Sequence, residues 1–169
     1  VKPKAQSRYQ ASFDFTTAKS YSLYYRNSVF SDYQNLSDTD RNSVELAIEQ
    51  AFDARGFAYK EPEQADFIIT YFVSQNSRRD LARYNQGVRY CRYCLQEYDN
   101  DSKELSVKPF GTFIVDLVDT KTKRSVWRAV SDIRLSDKDN SQELQVKFEQ
   151  ALIAMLSQYP DQQLLQRAR

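Results

Sequence analysis

Residues 111–135 read GTFIVDLVDTKTKRSVWRAVSDIRL. Phe113, Val115 and Leu117 alternate with Ile114 and Val118, so an extended chain here carries apolar side chains on both faces. Such a strand belongs in the middle of a sheet and not at its edge. Asp119 to Arg124 is polar and turn-like, without the Asn-Gly pair of a tight two-residue hairpin. The return strand places Ser125, Trp127, Ala129, Ser131, Ile133 and Leu135 on one face, and Val126, Arg128 and Val130 on the other. Trp127 reads as a core anchor with its indole N–H bonded locally, in preference to a ligand platform. The remaining elements must cover this hairpin.

Downstream, Leu144, Phe148, Ala151, Leu152, Met155 and Tyr159 recur at helical spacing, with Asn140 or Ser141 as the cap and Pro160 as the stop. Upstream, residues 65–74 (ADFIITYFVS) form a second strong strand, with Phe67, Ile69, Tyr71 and Val73 on one face and Ile68 and Phe72 on the other. Before it, Val44, Ala47, Ile48, Ala51 and Phe52 mark the buried stripe of a helix over residues 38–55. Ser37, Asp38 and Asp40 suit its N-terminus, and Gly56 suits a left-handed residue beyond its end. Residues 12–26 give a first strand, in which Tyr21, Leu23 and Tyr25 alternate with Ser22 and Tyr24 after an extended start at Phe13 and Phe15. Strand, helix and strand at this spacing suit a crossover with the two strands parallel. Residues 27–36 read as a loop, and 75–109 as the least regular region. The expectation is one α+β domain over residues 12–160. It has a mainly antiparallel sheet of four or five strands and two amphipathic helices on one face, in the order β-α-β-(β)-β-β-α. Residues 1–11 read as a flexible tether and 161–169 as a polar tail.

Composition removes several functions. Twenty-four basic residues stand against 23 acidic ones, a net charge of +1, which gives no global case for binding nucleic acid. The chain has no histidine. Ser-His-Asp and Cys-His catalysis, His-containing zinc sites and the usual general base near neutral pH are therefore unavailable. Carboxylate, Tyr or Lys chemistry remains open, but the expectation is a protein without enzymatic activity or cofactor. No apolar run is long enough to span a bilayer. The start, VKPKAQSRYQ, shows no signal peptide, which does not argue against export.

Residues 78–95 (RRDLARYNQGVRYCRYCL) stand out, with five arginines, three tyrosines, two cysteines and one acid. Arg78, Arg79, Arg83, Tyr84, Arg89, Tyr90, Arg92 and Tyr93 are the candidate ligand-binding residues, because guanidinium groups bind anions and rings stack on bound groups. The competing reading is a solvated loop whose arginines pair with Glu97, Asp99, Asp101 and Glu104. Cys91 and Cys94 form a C-x-x-C pair. A zinc site would need four ligands, which two chains would have to share. A redox motif would need a thiolate-stabilising context, and free thiols are a further reading. The preferred reading is a disulfide, which requires irregular backbone at Arg92 and Tyr93, since residues three apart on a strand point to opposite faces.

Taken together, FDFTTAKSYSLY at the start, a helix closing on ARGF, then ADFIITYFV, then GTFIVDLVD followed by VWR at hairpin distance, and a last helix ending in YP resemble the DUF4136 family over roughly residues 12–160. The resemblance implies a periplasmic domain, tethered to the outer membrane through lipid on an N-terminal cysteine that is not in this chain. It carries over no catalytic residue. Its motif residues here, Gly111, Asp116, Asp119 and Trp127, read as architectural: Gly111 admits the strand, Asp119 closes a turn, Trp127 fills the core, and Asp116 is a hydrogen-bonded structural carboxylate. The resulting expectation is a cell-envelope lipoprotein domain that binds a protein or an anionic envelope polymer through residues 78–95. The alternatives are an assembly subunit acting through oligomerisation, and a thiol-redox protein using Cys91 and Cys94.

Overall fold

The structure, a computed structural model, describes residues 4–24, 36–97 and 105–160. In chain order its elements are β1 (Ala5–Tyr9), β2 (Ser20–Leu23), α1 (Asp38–Ala54), β3 (Ala58–Tyr59), β4 (Phe67–Gln75) and α2 (Arg78–Gly87). A 3-10 turn follows at Arg92–Cys94, then β5 (Gln96–Glu97), β6 (Phe110–Asp119), β7 (Ser125–Asp132) and α3 (Ser141–Leu156). All seven strands join one mixed sheet in the order β3-β2-β4-β6-β7-β1-β5. β6, doubly apolar in sequence, is the fourth of the seven, with β4 and β7 antiparallel on either side. β2 and β4 are parallel neighbours joined through α1.

Both faces of the sheet are covered. On one, Phe67, Ile69, Tyr71, Phe113, Val115, Leu117, Trp127 and Ala129 form a continuous core with the buried stripes of α1 and α3. On the other, Phe72, Ile114, Val118 and Val130 pack against Tyr84 within α2 and Val88 just beyond it. The helices are built as their sequences dictate. Ser37 Oγ accepts the Asp40 N–H at 3.2 Å, and Asn140 Oδ1 accepts the Glu143 N–H at 2.8 Å. At the end of α1, the Gly56 N–H reaches Asp53 O (3.0 Å) and the Phe57 N–H reaches Phe52 O (3.1 Å), with Gly56 at φ +87°. The Phe52 and Phe57 rings meet at 5.3 Å, which completes this left-handed helix stop.

Several expectations are corrected. The fold is α+β, but the sheet is larger and more mixed than four or five strands. Two of its six strand pairings are parallel, and a third helix covers the face expected to be open. Residues 5–9 of the expected tether form β1, which pairs along its length with β7 because the β7 edge would otherwise be unsatisfied. The first strand shortens to Ser20–Leu23, since Asp14 binds Thr16 and Thr17 and turns the chain at Phe13–Phe15. Ser125 does not share the face of Trp127. Leu117 pairs with Trp127 and Val118 with Ser125, so Val126 bulges and Ser125 moves to the opposite side. Trp127 is fully buried, yet its indole N–H has no partner among the described residues. Tyr25, Arg26, Asp99, Asp101, Glu104, residues 27–35 of the expected loop and the tail at 161–169 lie outside the described residues.

Candidate functional site

One line of side chains crosses the α2-covered face of the sheet. Thr70 on β4 is in register with Asp116 on β6, Asp116 with Arg128 on β7, Arg128 with Arg8 on β1, and Arg8 with Glu97 on β5. Five strands thus contribute one polar residue each at the same level of the sheet. Arg128, only 2% exposed, donates through Nε to Asp116 Oδ1 (2.9 Å) and Oδ2 (3.2 Å). Ser125 Oγ, brought round by the bulge, donates to Asp116 Oδ1 at 2.7 Å. Tyr84 descends from α2 and donates its hydroxyl to Asp116 Oδ2 at 2.8 Å, and Thr70 Oγ1 lies 2.9 Å from that tyrosine hydroxyl oxygen. The carboxylate is therefore fully engaged.

Electrostatics keep Arg128 charged and Tyr84 protonated. Burial opposes the charge on Arg128, but Asp116, with help from Tyr84, outweighs it and raises the guanidinium pKa above its ordinary value. Burial, then the charge of Asp116, pushes the Tyr84 hydroxyl well above the usual tyrosine range, so it stays a donor. Tyr90 lies with its ring centroid 3.6 Å from Arg128 Cζ, and burial raises its pKa as well.

The centre of the row holds two like charges abreast. Arg8 and Arg128 are directly opposite on antiparallel strands, a pairing that is unfavourable without counter-charge. Each has a carboxylate on its outer side, Asp116 for Arg128 and Glu97 for Arg8 (2.6 Å). Arg8 Nη1 also donates to Arg92 O at 2.9 Å. On this face lies a cavity of about 130 Å³, lined by both arginines, Arg92, Leu81, Asn85, Tyr90, Leu105 and Val107. Arg128 Nη2, Arg8 Nε and Asn85 Oδ1 are buried without a hydrogen-bond partner among the described residues. A buried polar atom left so costs about 1–3 kcal/mol.

The structure splits the sequence candidates. Arg78, Arg79, Arg83, Arg89, Arg92 and Tyr93 are exposed; Tyr90 is half-buried over Arg128; Tyr84, with no exposed surface, is withdrawn from any surface site. Tyr93 is 90% exposed, with Arg92 Cζ 5.4 Å from its ring centroid. Cys91 and Cys94 are bonded, their Cα atoms 5.2 Å apart across the 3-10 turn. Gly111 lies at φ +74°, and a Cβ there would meet Ile133 O at 2.9 Å. Asp119 closes the β6–β7 turn by accepting from Lys121 N and Thr122 Oγ1. Sequence reasoning missed Arg8, Asn85, Ser125 and Arg128 as partners of the site. Arg8 lay in the supposed tether, and only the bulge brings Ser125 to Asp116. A larger groove of about 560 Å³ lies beside the β6–β7 turn. Its carboxylates Asp14, Asp66 and Asp119 already accept from nearby backbone N–H groups or hydroxyls. Among the described residues, no group of three or more His, Cys, Asp or Glu side chains is placed to hold a metal, and no helix is long and apolar enough to cross a membrane.

A single α+β domain with one long mixed sheet and helices on both faces is the class that this geometry defines. Residues 5–161 match the family described as "Domain of unknown function (DUF4136)", and the chain belongs to that family. Its fold is shared with a DUF4136 family protein from Bacteroides thetaiotaomicron VPI-5482 (TM-score 0.59, 14% identity, covering 93% of this chain and 96% of that one). Weaker likeness extends to the PelC dodecamer from Paraburkholderia phytofirmans (TM-score 0.47, 9% identity, 90% and 96% covered). It extends also to a PDZ domain protein from Parabacteroides distasonis ATCC 8503 (TM-score 0.47, 13% identity, 94% of this chain and 37% of that one). No curated protein matches the chain.

Proposed function

We propose that this chain is a non-enzymatic cell-envelope domain, periplasmic and anchored at the outer membrane by lipid, which binds a protein or an anionic envelope polymer through α2 and the segment after it. The observation that carries this reading is the outward side of residues 78–95. Tyr84 and Val88 fasten the segment to the sheet, while Arg78, Arg79, Arg83, Arg89, Arg92 and Tyr93 remain at the surface. Arg79 and Arg83 are one helical turn apart. Arg89, at φ +53°, reaches Thr122 O of the β6–β7 turn at 3.3 Å, and the Cys91–Cys94 bond secures the turn that presents Tyr93. A surface-held aromatic ring beside guanidinium groups on a fixed backbone is a low-entropy way to seize a partner.

The test is charge reversal at Arg83, Arg89 and Arg92, with Tyr93→Ala as a separate variant, read by crosslinking in the intact envelope. Loss of the crosslinked partner with the fold retained is the expected result. Unchanged crosslinking would overturn this assignment of the binding face. Palmitate labelling of the full-length precursor, followed by membrane fractionation, tests the anchor independently.

A further inference from the structure

We propose that the cavity between Arg8 and Arg128 binds a compact monocarboxylate that carries a hydrogen-bond donor on the carbon next to the carboxylate, as a 2-hydroxy acid does. The strand register forces two guanidinium groups together at the middle of the polar row. The carboxylates of the row, Asp116 and Glu97, stand outside that pair and leave its centre without an acceptor. Arg128 Nη2 and Arg8 Nε are buried donors with no partner among the described residues, and both side chains line the cavity. A carboxylate offers two acceptor oxygens at a spacing that guanidinium donors match. Each arginine already has a carboxylate of its own, so the row is neutral as it stands and suits one added negative charge better than two. Asn85 Oδ1, also unpartnered and on the cavity wall, is an acceptor and calls for a donor on the same ligand. Leu81 and Val107 give the remaining wall an apolar character that accommodates a short alkyl arm. The volume, about 130 Å³, is enough for a group of a few heavy atoms. Tyr90, stacked on Arg128, fixes the guanidinium plane and closes one side. This site lies on the inward side of the segment that carries the partner-binding surface and shares Arg92 with it.

The experiment is titration of the ¹⁵N-labelled full chain with L-lactate, acetate and inorganic phosphate, followed by arginine Nε–H and backbone resonances. Lactate should give saturable shifts centred on Arg8, Asn85 and Arg128, and should bind about fivefold more tightly than acetate, the worth of one added hydrogen bond. Asn85→Leu should abolish that preference, and Arg8→Gln should weaken lactate about tenfold. Val107→Phe, which fills the cavity without touching the charges, should remove binding while the spectrum of the fold is kept. Arg79→Glu with Arg83→Glu should leave lactate binding unchanged, so this site and the partner-binding face fail or stand separately. Absence of any saturable shift, tighter binding of phosphate than of lactate, or a lactate preference that survives Asn85→Leu would each overturn the assignment.

Discussion

Asp116 takes three donors on two oxygens in the middle of the sheet, from Arg128, Ser125 and Tyr84. Removing one half of the ion pair strands the other half as an uncompensated buried charge. Asp116→Ala or Arg128→Ala is therefore expected to cost about 3–5 kcal/mol. Asp116→Leu combined with Arg128→Met should cost clearly less than the two losses added, because both charges go and the volume is refilled. Urea denaturation of all three variants measures the difference. A second carboxylate makes a prediction about pH. Burial alone would raise the Asp66 pKa, but hydrogen bonds from Lys19 N (2.8 Å) and from Ser20 Oγ and N outweigh it and hold the group below its ordinary 3.8. A depressed carboxyl stabilises the fold above its unfolded pKa and loses that contribution as pH falls through the folded value. Asp66→Asn should cost about 1–2 kcal/mol at neutral pH and flatten the loss of stability on the acid side of the unfolded pKa, as read by thermal melts across the acid range. Strand alternation was enough to put Asp116 beside Ile114 and Val118. It could not supply the partner, because the pairing of Asp116 with Arg128 depends on the register set by the β6–β7 turn and on a bulge at Val126, neither of which has a local signature.

The elements differ in how plainly their sequences announce them. α1 and α3 are long, capped and striped, and their stripes are the ones buried. α2 is ten residues long and turns few side chains inward, so charge hides it; only Leu81, Tyr84 and Val88, at i, i+3 and i+7 behind the Ser77 cap, betray it. Two glycines carry conformations that their elements require. Gly56→Ala, strained only by its positive φ, should cost about 1 kcal/mol. Gly111→Ala adds a collision with Ile133 O and should cost about 2 kcal/mol or more. Thermal melts should rank them in that order. The Cys91–Cys94 bond closes a very short loop, so changing both residues to Ser should cost about 2 kcal/mol in the chain-entropy view. Hydrogen exchange should show the loss concentrated in α2 and the 3-10 turn, with β4 and β6 protected as before.

For the whole molecule, the largest departure from the sequence reading is β1. Its pattern, AQSRY, has too little apolar character to declare itself a strand; what makes it one is the exposed edge of β7 more than a hundred residues later. A chain that starts at Ser12 should lose Tyr9 from the core, leave β7 unpaired and expose Arg128 and Asp116 to solvent. The expected outcome is a strongly destabilised protein that self-associates through β7, detectable by light scattering and by loss of the cooperative melt. The strands at the sheet edges, β3 and β5, are two residues each, which limits growth of the sheet by a second copy and leaves helix and loop surfaces for association. The place of β1 also sets a timetable. Its long pairing is with β7, so this strand lacks its main partner until residue 132 has followed it. Loop closure over such a distance is slow compared with forming the β6–β7 hairpin. The amino-terminal strand of this domain is made well before the partner it lies along, and until that partner arrives it is a segment open to a chaperone.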